Sequence, residues 1–421
     1  MRLLHTSDWH LGRTLHGVDL LDAQRGALSA ICRLVAEPTD GVPIDAVLVA
    51  GDVYDRAVPP VEAVTLLHET LAELTRHTTV IMTSGNHDSA IRLGFGSALF
   101  NQRLVVRTEP ARIGEPVLLG GAGGRGVAEG GVAVYPLPYL DPDVARVALS
   151  DDEPLPRSHQ AVMSAALHRV RADLAARPAG TRSVVLAHAF VVGGVSCESE
   201  RSIVVGGVDS VAADTFAGID YVALGHLHGA QQLAAADDRT GGIARAGGIG
   251  RAGGIGRTGG IVRYSGSPLR YSFSEAAHVK SVSLVDIGDG PDGLVTVTDA
   301  PIDQPRAMAD LSGTLAELTA ESRRLRHADD WLRVTVTDPD RPEQLYDRVK
   351  AAFPHALQVF HAPAGAEDVG RHAASAATEL SARQLAGDFV SHVTGLQADS
   401  ASIELFEAAY QASLAETGVA S

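Results

Sequence analysis

The chain has 421 residues, too many for one compact core, so two or three domains are expected. Hydrophobic residues make up 45% and charged residues 20%, an ordinary globular balance, and no apolar run reaches membrane-spanning length. The net charge of −16 counts against a protein that wraps nucleic acid by itself, unless a local basic groove or a basic partner supplies the field.

The first residues lead straight into a strand and a polar turn, without a basic stretch ahead of an apolar one, so no secretory leader and a cytoplasmic location are expected. Cys32 and Cys197 are too few for a disulfide framework and lack metal spacing, which predicts two reduced, structural thiols. Lys280 and Lys350 are the only lysines, and arginine carries nearly all the positive charge, a skew that points to coding bias rather than function.

In chain order, residues 2–6, 45–50, 79–82, 183–187 and 221–224 are short apolar runs rich in branched residues, each expected to be a buried strand. Between them, Leu20–Val35 and Pro60–His77 carry helical spacing, with Pro59-Pro60 suited to a helix entry. Strands alternating with helices predict an α/β sheet with function at the carboxyl ends of its strands. Residues 240–263 read TGGIAR, AGGIGR, AGGIGR, TGGIVR, four tandem hexapeptides too glycine-rich to build a core. They predict a flexible, expanded hairpin. Arg245, Arg251, Arg257 and Arg263 at regular spacing would graze DNA as a subsidiary expectation.

After Ile302 the texture changes. A strand at 331–337, a helix over Pro342–Ala352 and a strand at 357–360 suggest a small α+β domain. Residues 362–378 are rich in Ala, Gly and Ser and predict a linker. Leu385, Phe389, Val393 and Leu396, then Ile403, Phe406, Tyr410 and Leu414, follow helical spacing. Folding back on their own domain and docking onto a partner are equally good accounts of these two helices.

All five strands end in potential metal ligands: Asp8 and His10 in SDWHLGR, Asp52 and Asp55 in GDVYDR, Asn86, His87 and Asp88 in GNHD, His188 in LAHAF, and His226 and His228 in GHLHG. An i, i+2 pair in extended backbone points both side chains the same way, so Asp8/His10 and His226/His228 are each expected to reach one site. Each residue alone is better explained as a helix cap, a turn or a satisfied core histidine. Five strand ends at once, with Gly51, Gly85 and Gly225 ahead of three of them, are not.

Mixed carboxylate, amide and imidazole donors suit manganese or iron better than calcium or structural zinc. Seven ligands suit two ions about 3.5–4 Å apart that share a carboxylate, with Asp52 as the candidate bridge, and phosphate ester hydrolysis is the matching reaction. His87 would donate a proton to the leaving oxygen or stabilise equatorial charge, with Asp88 orienting its ring. Asp55 either orients a neighbouring group or merely caps a turn.

The order D-x-H, GDxxD, GNHD, AH, GHxH resembles the calcineurin-like metallophosphoesterases, and the blocks at 3–13, 51–60, 84–89, 187–194, 199–211, 220–231 and 262–275 resemble, within them, the SbcD family of bacterial nuclease subunits. The resemblance implies a sandwich of two mixed sheets flanked by helices over 1–302, a small α+β capping domain at 303–361, and C-terminal helices at 379–421. It assigns Asp8, His10, Asp52 and His228 to one manganese, Asp52, Asn86, His188 and His226 to the other, and a transition-state role to His87. It further implies a homodimer through Val61–His77 and Arg92–Asn101, and a heterotetramer with an SbcC-like coiled-coil ATPase bound by the C-terminal helices. The implied activity is ATP-dependent exonuclease action on duplex ends and endonuclease action on hairpins and single strands, in nucleoid-associated DNA repair, recombination and replication. The hexapeptide array stands where the family has a short hairpin, and Ala230 where it often has proline.

Two enzymes on the same fold compete, a cyclic nucleotide phosphodiesterase and a protein phosphatase. A cap, a linker and terminal helices argue against the first, and SDWHLG and GNHD, in place of GDxHG and GNHE, against the second. A non-catalytic scaffold would have no need of His87.

Overall fold

Branched apolar runs build the centre of the fold. The computed structural model describes residues 1–100, 103–120, 131–201, 210–233, 260–288 and 294–363, together with 403, 405 and 406. The chain divides into two compact units, Met1–Ala309 and Asp310–Ser421.

The main strands of the first unit are, in chain order, β1 (Arg2–Thr6), β2 (Ala46–Ala50), β3 (Thr79–Thr83), β4 (Leu104–Arg107), β5 (Val117–Leu119), β6 (Val132–Pro136), β7 (Arg182–His188), β8 (Tyr221–Gly225), β9 (Gln231–Leu233), β10 (Ile261–Tyr264), β11 (Ser281–Ile287) and β12 (Val295–Pro301). They form the two mixed sheets that the resemblance implies, each six-stranded: β12-β11-β1-β2-β3-β4 and β9-β10-β8-β7-β6-β5. In the first sheet, β1 to β4 run parallel, and β11 is antiparallel to both of its neighbours, β1 and β12. In the second, β6, β7, β8 and β10 run parallel, with antiparallel strands at both edges. Strands buried on both faces need no polar alternation, which is why their sequences read as continuous apolar runs.

One core lies between the sheets, where Leu3, Leu48 and Ile81 meet Val134, Leu186 and Tyr221. A second covers the other face of the second sheet, packed against helix α3 (His159–Ala175) through Val162, Leu167 and Val170. Helices α1 (Leu21–Ala36) and α2 (Val61–His77) pack on each other, and α2 packs on β3. Each turns buried leucines, Leu28 and Leu66 among them, inward on a helical period.

Two polar contacts stitch the sheets together inside this core. The buried His5 of β1 accepts a hydrogen bond from the Tyr221 hydroxyl at 2.9 Å and donates to the Leu224 carbonyl at 3.2 Å. Burial, and then the charge of Arg263, pushes the His5 imidazole down to about 3. Arg263 itself is buried; it donates to Ser283 and pairs with Asp299, so it does not face solvent as a DNA contact would. The last hexapeptide is accordingly part of a sheet: Ile261, Val262 and Arg263 belong to β10. Residues 240–259, with Arg245, Arg251 and Arg257, lie outside the described residues.

The sheets approach closely where β8 meets β2. A Cβ placed on Gly225 would lie 1.8 Å from the Ala50 carbonyl oxygen and 2.9 Å from His188 Nδ1. One on Gly85 would lie 2.1 Å from Asp52 Oδ1. Both positions admit only hydrogen, so these glycines let the strand ends approach.

In the second unit, β13 (Met308–Gly313), β14 (Trp331–Val336) and β15 (Ala356–His361) form a three-stranded sheet in that order, with β14 and β15 parallel. A helix at Leu345–Ala352 turns Leu345 and Val349 inward, and a capping box of Thr314 and Glu317 starts a short helix at Leu315–Leu318. The helix expected over Pro342–Ala352 thus starts three residues later, and β13 was not expected. Most of the expected linker at 362–378 and of the C-terminal helices at 379–421, including Leu385, Phe389, Val393, Leu396, Tyr410 and Leu414, lies outside the described residues; Ile403, Leu405 and Phe406 are helical.

Gly225→Ala is expected to lower the stability of the first unit by about 3 kcal/mol or more, because the methyl collides with backbone; an unchanged denaturation midpoint would contradict the close approach. The folded His5 pKa lies below the unfolded value, so its effect is nil above about pH 6.5, and stability is lost as pH falls from there toward about 3. His5→Gln should remove up to about 1.4 kcal/mol per pH unit from that slope in metal-free protein, measured by denaturation at stepped pH.

Candidate metal centre

The loops leaving β1 and β2 run side by side, with Asp8 N–H donating to Gly51 O at 3.1 Å, His10 N–H to Asp52 O at 2.9 Å and Leu11 N–H to Val53 O at 2.9 Å. The loop leaving β8 joins them, His226 N–H donating to the Asp8 carboxylate at 3.0 Å. Asp8, His10, Asp52 and His226 have φ of 54°, 45°, 49° and 109°. Such left-handed backbone costs about 1–3 kcal/mol per residue and persists only where surrounding contacts enforce it.

The pairs Asp8/His10 and His226/His228 are therefore not extended, as the spacing predicts, because their strands end at Thr6 and Gly225. The second pair splits. His228 Nε2 lies 3.1 Å from His10 Nε2, whereas His226 Nδ1 lies 3.3 Å from Asn86 Oδ1 beside the His188 ring. Asp8, His10 and His228 bring ligand atoms within 4.8 Å of one another, and so do Asp8, Asp52 and His188. Asp52 Oδ2 stands between the groups, 3.6 Å from His10 Nε2 and 3.5 Å from His188 Nε2.

The donor chemistry fits a cation. His188 Nδ1 donates to the Ala50 carbonyl at 2.9 Å, leaving a lone pair on Nε2, and that nitrogen faces Asn86 Oδ1, a second acceptor, at 2.8 Å. His10 Nδ1 and Asn86 Nδ2 are buried without a hydrogen-bond partner. Burial holds the imidazoles of His10, His188, His226 and His228 below the usual histidine range, so their lone pairs stay available. Burial, and then the Asp52 charge, raises the Asp8 carboxyl well above the ordinary carboxylate range. With His188 Nδ1 donating to Ala50, His188 Nε2 and Asn86 Oδ1 are two buried acceptors facing one another, a contact stabilised by an ion that takes their lone pairs.

His87 stands at the edge of this cluster. Its N–H donates to Asp52 Oδ1 at 2.8 Å, and its Nδ1 donates to the Asp55 carbonyl at 2.8 Å, which turns Nε2 to within 3.9 Å of Asp52 Oδ2. Asp88 does not orient the His87 ring, contrary to expectation. Its carboxylate instead accepts from the N–H groups of Gly85, Val53 and Tyr54 at 2.9, 3.1 and 2.9 Å, and so ties the loops after β2 and β3 together. Burial, followed by the Asp52 charge, pushes the Asp88 carboxyl up to about 7. Asp55 acts on His87 through its backbone, and its carboxylate lies 3.6 Å from His10 Nδ1 and 3.5 Å from Arg13.

Several residues at the site have no role assigned from the sequence, although most of them lie inside the blocks that carry the resemblance. Ser7 donates to Asp8 Oδ2 at 2.5 Å, Glu200 accepts from the His228 N–H at 2.6 Å, and Ser199, Glu275 and Lys280 lie behind the His228 ring. Ser199, Glu200 and Glu275 sit in SERS and SFSE, where nothing in the local pattern separates a buried carboxylate from a solvated one.

Residues 1–230 match the family model of calcineurin-like phosphoesterases. Residues 304–394 match that of the SbcD C-terminal domain, described as the type 5 capsule protein repressor C-terminal domain. Among solved structures, the sulfate thiohydrolase SoxB of Termus thermophilus, in complex with glycerol, is similar over 71% of this chain at 14% identity, with a TM-score of 0.32. The present chain spans 56% of that one. The two family matches, on one chain and in this order, support an SbcD-type nuclease subunit. A family that uses divalent metals accords with the three overlapping His/Asp groups here, Asp8, His10 and His228, then Asp8, Asp52 and His188, then His10, Asp55 and His87. With the match extending over 230 of 421 residues, the chain belongs to the calcineurin-like phosphoesterase family.

Proposed function

We propose that this protein is a manganese-dependent DNA nuclease, the hydrolytic subunit of a complex with an SbcC-like coiled-coil ATPase. The observation that carries the hydrolytic reading is the pair of ligand clusters flanking Asp52, with His87 at their edge. The match to the SbcD C-terminal domain supports DNA rather than a phosphoprotein or cyclic nucleotide as substrate.

In this reading Asp8, His10, Asp52 and His228 hold one ion, and Asp52, Asn86, His188 and His226 the other. Two such ions, when bound, lower the pKa of a water to generate hydroxide and neutralise phosphate oxygens. The protein's own part is positional and electrostatic. Asp52 is fixed by the His87 N–H, so its second oxygen stays between the two clusters. Asp88 locks together the loops that carry Asp52 and Asn86. His87, its Nδ1–H held by the Asp55 carbonyl, would present Nε2 to the leaving oxygen and, in its doubly protonated form, deliver the Nε2 proton there and return to the neutral ring. Mixed imidazole, amide and carboxylate donors favour manganese.

The same reading gives the exposed apolar side chains a use. Val61 and Val64 on α2, with Ile91, Phe95 and Leu99 just after the GNHD loop, form exposed apolar surface suited to a homodimer. The segment 379–421 would dock on the ATPase, giving a heterotetramer that borrows part of its DNA grip from the partner and so overcomes a net charge of −16. Its action would be ATP-dependent on duplex ends and endonucleolytic on hairpins and single strands, serving repair, recombination and replication in the nucleoid. No helix among the described residues is long and apolar enough to cross a membrane.

The deciding assay offers the purified protein with Mn2+ a DNA hairpin, a cyclic nucleotide and a phosphopeptide, with and without the ATPase. DNA cleavage is expected; turnover of only the phosphopeptide or the cyclic nucleotide would refute the nuclease reading. His87→Ala should retain Mn2+ binding and lose about 10²–10⁴-fold in cleavage rate, and wild-type rates would remove His87 from the mechanism. Deleting 379–421 should spare hydrolysis of a small phosphodiester and abolish ATPase binding in a pull-down. Retained binding would refute the docking role.

A further inference from the structure

His228 is restrained at its backbone and at one ring nitrogen. Its N–H donates to Glu200 Oε1 at 2.6 Å, and its carbonyl accepts from Lys280 Nζ at 2.8 Å and Ser267 N–H at 3.2 Å. Its Nδ1 lies 2.7 Å from Ser199 Oγ. Ser199 Oγ in turn lies 2.5 Å from Glu275 Oε1, a carboxylate oxygen that only accepts. A hydroxyl has a single hydrogen. Since it goes to Glu275, Ser199 must accept from His228, and the proton of the imidazole must sit on Nδ1. The lone pair is then on Nε2, the atom that faces His10.

The base of this chain is unusually well built. Glu275 is fully buried, as is Lys280, whose Nζ contacts Glu275 Oε2 at 2.5 Å and Ser267 Oγ at 2.9 Å. Glu275 Oε1 also accepts from Tyr271 N–H and Ser272 Oγ, each at 3.2 Å. Arg13 holds the Ser199 carbonyl at 2.8 Å. A buried ion pair contributes little to stability compared with apolar packing of the same volume. Its location directly behind one imidazole therefore calls for a local role.

We propose that Ser199, Glu275 and Lys280 form a positioning relay that locks His228 in its Nδ1–H tautomer and makes Nε2 a stronger donor to a divalent cation. The relay rests on the reading of His228 as a metal ligand. Carboxylates behind metal-bound histidines act in this way, and their loss typically weakens metal affinity 10–100-fold. Here a serine hydroxyl is interposed, which separates the two jobs: Ser199 sets the tautomer, and the Glu275–Lys280 pair fixes the hydroxyl.

The test uses the full-length chain and two readouts. Nitrogen NMR of ¹⁵N-histidine-labelled, metal-free protein reports the tautomer, and competition with a chelator reports Mn2+ affinity. Wild-type His228 should be Nδ1–H. Ser199→Ala should mix the tautomers and weaken Mn2+ binding about 10–100-fold, Glu275→Gln should weaken it similarly, and Ser199→Thr, which keeps the hydroxyl, should restore both readouts to within about threefold of wild type. A wild-type His228 in the Nε2–H form would overturn the relay, and that measurement needs no variant to fold. Wild-type affinity in Ser199→Ala would also overturn it while leaving the metal centre intact. A wild-type protein that binds no Mn2+ would remove the metal reading instead, with the tautomer still deciding the relay.

Discussion

Five strand ends from two different sheets meet because almost nothing stands between them. At Gly225 the second sheet touches the backbone of the first at Ala50, and at Gly85 the third strand's loop touches Asp52. A methyl at Gly225 would push the second sheet off the Ala50 carbonyl, and one at Gly85 would push the loops after β2 and β3 apart. The candidate ligands are drawn from β1, β2 and β3 on one side and β7 and β8 on the other, so any such separation would divide them. The inter-sheet core, the His5–Tyr221 contact and the Arg263–Asp299 pair hold this spacing from behind.

Much of this arrangement is legible in the sequence, and the reasons are physical. Strands buried on both faces leave uninterrupted branched runs, so β1, β2, β3, β7 and β8 stand out, and α1 and α2 show their apolar period. Edge strands such as β5 and β9 have three residues each and too little pattern to register. Which strands share a sheet is a long-range matter that local periodicity does not encode, so one sheet was expected from the runs alone. The same limit applies at the site. Asp8, His10, Asp52, Asn86, His188, His226 and His228 are identifiable as chemistry-bearing side chains at strand ends. Their directions depend on left-handed turns, which are invisible in residue spacing, so spacing alone aims His226 and His228 at one place, whereas the family resemblance assigns them to separate ions. Asp88 illustrates a further limit. A carboxylate beside a histidine invites a pairing between them, but three backbone N–H groups compete for it and win.

The electrostatics of the centre follow from that crowding. Desolvation keeps the four imidazoles neutral and raises the Asp8 and Asp88 carboxyls, with Asp52 adding its charge to both. Without a cation the cluster therefore carries opposing demands: acceptors face acceptors, and buried carboxyls resist ionisation. Metal binding by such groups is a proton-release reaction, in which the fold has already kept the imidazoles deprotonated. The buried Glu275–Lys280 pair belongs to the same design logic, a charge pair set beneath one imidazole rather than spread through the core.

The turns at Asp8, His10, Asp52 and His226 also bear on how this protein can drift over evolutionary time. At φ between 45° and 109°, a side chain branched at Cβ is strongly disfavoured, asparagine and aspartate are strained less, and glycine is admitted without strain. Sequence change at these four positions is thus filtered twice, once by coordination chemistry and once by torsion angle. A lineage that abandons its ions would still be confined there to a small alphabet, and inactive descendants of this fold should betray their ancestry by asparagines and glycines at the old ligand positions.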